Sequence, residues 1–192
     1  MSLSRQQLTL LGIFALFMGP VLLVMMMRSS WWEYQPSGMK NQGQLVQPPV
    51  HLSLDQAESF TGKWLILYVL NQPCDTACVE SVTAIRQIHR AAGRKSEHLA
   101  IVLLSDSPAD PALWARLEAI YPEFHFIADP SHKSLDTLKT IQTGSTSDSA
   151  DMRTFILDPM HNVVLAYLSS ADPTDLHKDL KRLLKWADQE KK

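Results

Sequence analysis

Seven apolar or aromatic residues in a row, Trp64-Leu65-Ile66-Leu67-Tyr68-Val69-Leu70, lead into Cys74-Asp75-Thr76-Ala77-Cys78, which holds the only two cysteines of the chain. A run of that length and composition reads as a buried strand. If Cys74 opens the following helix, both sulfurs lie at i and i+4 on one helical face, near the positive end of the helix dipole. Such a pair suits a disulfide or a soft metal, because thiol chemistry needs its sulfurs adjacent. The spacing leaves two plainer readings open. The cysteines can act as unrelated small hydrophobes, or as a structural bridge, although so short a loop restricts the unfolded chain little.

The chain has 192 residues, 45% of them hydrophobic, which allows one globular domain with a sizeable core. A net charge of −2 leaves no strongly basic balance, and nucleic acid is excluded as a partner. From Leu8 to Met27 no residue is charged. At about 1.5 Å per residue that stretch spans a hydrocarbon core of roughly 30 Å as one helix. Gly19-Pro20 kinks it without breaking it, and Trp31, Trp32 and Tyr34 follow as an aromatic belt at the water interface. No small-residue cleavage site follows, so the segment reads as a retained anchor rather than a signal peptide. Arg5 on one side and Arg28 and Lys40 on the other barely decide orientation. A tethered dithiol is most useful where thiols are oxidised, which places the C-terminal domain in the periplasm of a bacterium, on a single-pass inner-membrane anchor in contact with lipid.

The prolines and glycines of residues 35–49 deny them regular structure, so they read as a stalk. The expected organisation is an anchor at 1–30, a periplasmic stalk at 31–50 and a folded domain at 51–192. Within that domain the pattern predicts strands at 64–70, 99–104, 125–128, 154–157 and 163–167. Helices are expected at 74–92, stopped by Gly93, at 111–121, capped by Asp110, at 133–141 and at 174–187. Asp158-Pro159-Met160-His161-Asn162 reads as a hairpin turn between the last two strands. This order gives an α/β sandwich whose first strands pair parallel and whose last pair antiparallel. With a cysteine pair after the first central strand, it is a thioredoxin-like fold carrying one N-terminal transmembrane helix.

A single N-terminal anchor, a strand leading into C-x-x-x-C and a late hairpin of the form Phe155-Ile156-Leu157-Asp158-Pro159 with Val163 together resemble the Sco/SenC family. The stalk pattern Asn41-x-Gly43-x-Leu45-x-x-Pro48-Pro49, followed by Gly62-Lys63-Trp64, is also similar to small membrane-anchored gammaproteobacterial proteins associated with cytochrome oxidase genes. The resemblance implies an assembly factor for cytochrome c oxidase, acting on its copper subunit. It further implies that Cys74 and Cys78 carry Cu(I) or exchange a disulfide, with Cys74 attacking and Cys78 resolving. In the family a loop histidine completes the copper site, and it should fall near Ala150. Residues 143–153 contain no histidine. Two thiolates satisfy Cu(I), and Met152 offers a soft thioether near the expected place, whereas Cu(II) prefers imidazole.

The remaining polar residues add no catalytic constellation. His89 lies eleven residues after Cys78, about three helical turns away, too far to share a metal with it. His98, His125, His132, His161 and His177 read as surface or capping residues, and Asp75 as a helix-start carboxylate whose charge opposes thiolate formation. No proline occurs between Thr143 and Leu157, where a thioredoxin-type oxidoreductase places one opposite its redox pair, and the thioredoxin dipeptide is absent. The different reading is an accessory oxidase subunit in which the two cysteines form only a stabilising bridge.

Overall fold

Every residue of Leu99-Ala-Ile-Val-Leu-Leu-Ser105 is buried, as expected for a central parallel strand covered on both faces. In the computed structural model, which describes residues 5–28, 41–70, 73–108, 110–143 and 151–187, that strand lies inside a six-stranded mixed sheet. The strands are β1 (Gln44–His51), β2 (Trp64–Val69), β3 (Leu99–Ser105), β4 (Phe124–Ala128), β5 (Met152–Leu157) and β6 (Asn162–Leu168), in the spatial order β1-β6-β5-β2-β3-β4. β2, β3 and β4 pair parallel, and β5 pairs antiparallel with both β2 and β6. The fold is the α/β, thioredoxin-like one that the element order predicts.

Alternation along β2 sends Ile66 and Tyr68 to one face and Leu65 and Leu67 to the other, so the core has two layers. On the first layer lie α2 (Thr76–Ala91), α3 (Pro111–Ile120) and α5 (Pro173–Ala187). Leu176, Leu180 and Leu184 of α5 are each at most 5% exposed, and burial of each contributes about 1.5–3 kcal/mol. The second layer is closed by α4 (Lys133–Thr143) and by Leu52, Leu54 and Phe60 from the segment between β1 and β2. Separately, α1 (Arg5–Arg28) is a single helix with Pro20 inside it, long and apolar enough to cross a bilayer. Residues 1–40 and 41–192 form two compact units.

Several expectations need correction. The stalk reading fails for Gln44–His51, which is the edge strand β1, hydrogen-bonded to β6. Its prolines are tolerated because the ladder is irregular between Leu45 and Val50, where Pro48 and Pro49 lie, and an edge needs no donor on its outer side. α2 begins at Thr76 rather than Cys74. Asp110 precedes α3 but makes no side-chain cap, its carbonyl instead accepting Trp114 N–H at 2.9 Å. His161 is buried, not superficial, and holds a positive φ of 63° in the hairpin turn. That turn is organised by Asp158, whose carboxylate accepts the Met160 and Asn162 backbone N–H groups at 2.9 and 2.8 Å. The aromatic belt of Trp31, Trp32 and Tyr34, residues 31–40 of the stalk and the loop position Ala150 lie outside the described residues.

Candidate functional site: the Cys74–Cys78 pair

Beyond β2, the Leu70 N–H donates to the Leu104 carbonyl at 2.7 Å, holding the strand end against β3 just before the cysteines. Asp75 is the N-cap of α2, with extended backbone (φ −80°, ψ −173°). Its carboxylate accepts the Cys78 N–H at 2.9 Å, and its carbonyl accepts the Val79 N–H at 3.1 Å. An aspartate here satisfies a donor that the first helical turn leaves unpaired. Cys74 therefore stands just before the N-cap, two residues ahead of the helix, and Cys78 at its third position.

This offset brings the sulfurs together. Cys74 and Cys78 form a disulfide, with Cα atoms 5.3 Å apart. The two sides differ in access. Cys78 is 5% exposed and packs with Ile66, Tyr68, Leu70, Val82 and Ile85, whereas Cys74 is half-buried at the edge of the same cluster. An incoming thiolate reaches Cys74 first, and Cys78 is the protected partner.

Met152 is not brought to the pair. Its side chain is 2% exposed in the second core layer, with Phe155 and Leu67, while both cysteines belong to the first. Simple alternation back from Ile156 through Thr154 would put Met152 on the cysteine face. The register shift between Met152 and Thr154 turns it to the other. Its thioether serves as core packing, and the expectation that it joins the cysteines is corrected on that ground. His89 is likewise elsewhere: its ring nitrogens lie 2.8 Å from the Tyr121 hydroxyl and 3.2 Å from the Leu99 carbonyl, at the far end of α2. Burial, together with the hydrogen bond to Glu123, pushes the Tyr121 phenol up to about 12. Among the described residues no group of three or more His, Cys, Asp or Glu side chains is placed to hold a metal.

One polar cluster had no sequence signal. Asp179, 2% exposed on α5, accepts the backbone N–H groups of Gln42 and Gly43 at 2.7 and 2.9 Å and the Tyr167 hydroxyl at 2.9 Å. Burial and the Asp179 carboxylate hold the Tyr167 phenol far above its ordinary range, so it remains a donor. Gly43 is required by close approach, since a Cβ there would meet the Tyr167 ring at 2.5 Å. The Asn41-x-Gly43 element of the stalk pattern is thus the point where the chain is fastened to the domain, with Asn41 closing the turn on the Gly43 carbonyl at 2.6 Å.

A sheet of this order with a disulfide at the head of the helix after its first central strand defines a thioredoxin-like protein. Residues 64–187 match the family model described as transmembrane-like, thioredoxin-like, C-terminal domain, and the chain belongs to that family. Sco proteins are among its structural neighbours. Apo Sco1 from Thermus thermophilus is 17% identical, with a TM-score of 0.55 over 73% of this chain and 95% of that one. Yeast Sco1 with copper bound is 15% identical, with a TM-score of 0.52 over 74% and 92%. BsSco, described with a disulfide switch and as a member of the Sco family of cytochrome c oxidase assembly proteins, is 16% identical, with a TM-score of 0.50 over 76% and 96%. At these identities the likeness establishes the fold. No curated protein sequence matches the chain.

Proposed function

We propose that this protein is a membrane-anchored, periplasmic assembly factor for cytochrome c oxidase that works through Cys74 and Cys78, a Sco-like gammaproteobacterial variant without the loop histidine. Residues 1–30 are its anchor, 31–40 a tether, and 41–192 the working domain. The observation that carries the reading is the disulfide at the start of α2 with one accessible and one protected sulfur. The printed descriptions of the neighbours, a copper-bound Sco1 and a Sco protein with a disulfide switch, support the same chemistry.

In the reduced form the Cys74 thiolate attacks a disulfide of the oxidase copper subunit, forming a mixed disulfide and releasing one partner thiolate. The Cys78 thiolate then attacks Cys74 Sγ, releasing the second partner thiolate and restoring the Cys74–Cys78 bridge, so two electrons pass to the partner. Copper enters as cargo. Two soft sulfurs on Cα atoms 5.3 Å apart suit Cu(I), and only the reduced pair offers them. Nothing in the described donor set favours Cu(II).

Replacing both cysteines by serine tests the role in cells grown at limiting copper. Loss of oxidase copper loading, with the variant present at the native level, is the expected result. Normal oxidase activity under that limitation overturns the chemical role and leaves a bridge in an accessory subunit. The single variant Cys78→Ser should trap the copper subunit on Cys74 as a mixed disulfide.

A further inference from the structure

The residue after Cys74 is an exposed aspartate, and its carboxylate is held at the cysteine turn by the capping bond from the Cys78 N–H at 2.9 Å. Among the described residues no cation pairs with Asp75. Asparagine or serine caps a helix as well as aspartate does, so the turn calls for an oxygen acceptor there and not for a charge. The surroundings have the same sign. β2, β3 and β6 finish at one end of the sheet, where β5 begins, and the loops that follow β3 and β6 place Asp106 and Asp172 there. Asp106 accepts the Ser107 hydroxyl at 2.9 Å and Asp172 the Thr174 N–H at 2.8 Å, both neutral donors. Arg153 and Lys178 are bonded to Asp151 at 2.8 Å and to Asp175 at 3.0 Å, and Lys133 follows β4, two strands from β2. The accessible sulfur of Cys74 thus stands beside a negative charge that the helix cap fixes in place.

We propose that Asp75 is a specificity-determining residue, whose fixed charge makes Cys74 exchange preferentially with disulfides flanked by cationic groups. In a polypeptide partner that means a lysine or arginine beside the cysteine attacked. The proposal rests on the redox reading of the pair and adds which disulfides it selects. The Cys74 thiolate bonds to one sulfur of the incoming disulfide and expels the other as a thiolate, and Cys78 then attacks Cys74 Sγ and expels the first, so two electrons pass to the partner. A cation beside the attacked sulfur is drawn to the carboxylate as the two approach, and an anion is repelled. At an exposed site each unit of charge should change the rate by about threefold, and salt should screen the effect.

The test uses the reduced full chain in nanodiscs of zwitterionic lipid at neutral pH. Second-order rates of oxidation are measured by thiol trapping with three small disulfides: cystamine, a dication; dithiodipropionate, a dianion; and the neutral bis(hydroxyethyl) disulfide. Any change in the intrinsic reactivity of the thiol is common to all three and cancels in their ratios. Asp75→Asn, which keeps the cap, should lower the cystamine-to-dithiodipropionate ratio by about tenfold, with both rates moving toward that of the neutral reagent. Asp75→Glu, which keeps the charge, should retain most of the native ratio, and molar salt should bring the native ratio close to that of Asp75→Asn. Near-UV circular dichroism verifies that both variants are folded. A ratio that Asp75→Asn leaves unchanged, or that Asp75→Glu lowers as far as Asp75→Asn does, overturns the proposal and leaves the redox reading in place. Failure of all three disulfides to oxidise the folded native chain overturns the redox reading and the proposal with it.

Discussion

Removing the Asp179 carboxylate should unfasten the segment at residues 41–43. In Asp179→Ala, the Gly43 N–H and the Tyr167 hydroxyl, both buried donors, lose their acceptor, as does the partly buried Gln42 N–H. A buried donor left unpaired costs about 1–3 kcal/mol, and the Gln42 amide can turn to water, so two full penalties bracket the loss at about 2–6 kcal/mol. The carboxylate's own desolvation cost disappears with it, which draws the expectation toward about 3 kcal/mol. For a domain of this size that corresponds to a fall in Tm of roughly 6–12 °C. Tyr167→Phe removes one of the donors and should cost about 1 kcal/mol. The two residues touch, so the double variant should fall short of additivity by about 1 kcal/mol. Thermal unfolding of the full chain, followed by near-UV circular dichroism, measures all three, and limited proteolysis should show residues 41–50 cut earlier in Asp179→Ala. A loss below 1 kcal/mol for Asp179→Ala, or strict additivity with Tyr167→Phe, refutes the reasoning.

Further outcomes follow from individual contacts. Asp129 is buried, which alone would raise its pKa, but the backbone N–H groups of Leu135, Ser134 and Lys133 and the Ser131 hydroxyl hold it below the ordinary carboxylate range. Because folding lowers that pKa, its stabilisation is complete above the unfolded value near 3.9 and is lost as the pH falls through the folded value. Asp129→Asn should therefore cost about 1–2 kcal/mol in urea unfolding at neutral pH and converge with the native chain once the pH has fallen below the lowered folded value. Asp75→Ala should lower stability by about 1 kcal/mol and Asp75→Asn by almost nothing, since asparagine caps equally well. Met152→Leu should leave Cu(I) affinity of the reduced chain unchanged and cost less than about 1.5 kcal/mol. A marked loss of affinity there would return the thioether to the site.

What could be read in the residues, and what could not, divides along physical lines. Strands β2 and β3 are continuous apolar runs and α5 is amphipathic, so burial pattern alone locates them, and the cysteine pair marks the site. β1 escaped because Pro48 and Pro49 argue against a strand unless it is an irregular edge, which depends on a partner more than a hundred residues away. Met152 was misplaced because one register irregularity reverses the face of every residue beyond it. Asp179 was invisible because its partners Gln42 and Gly43 are 137 and 136 residues distant in sequence. The Asn41-x-Gly43 pattern carries part of the sequence resemblance, and its physical cause, a close approach to the Tyr167 ring, exists only in the folded sheet. The helix start moved by two residues, and that shift is what sets Cys74 outside α2 and makes the two sulfurs unequal.

The most direct test of the cysteine pair is its equilibrium with glutathione in the folded full-length chain, read by thiol trapping and mass spectrometry across a series of reduced-to-oxidised glutathione ratios. Cys74–Cys78 is expected to exchange reversibly without loss of the near-UV signal of the folded domain, passing through a glutathione adduct on Cys74. A bridge that yields only when the chain unfolds, or an adduct that forms only on Cys78, would contradict it.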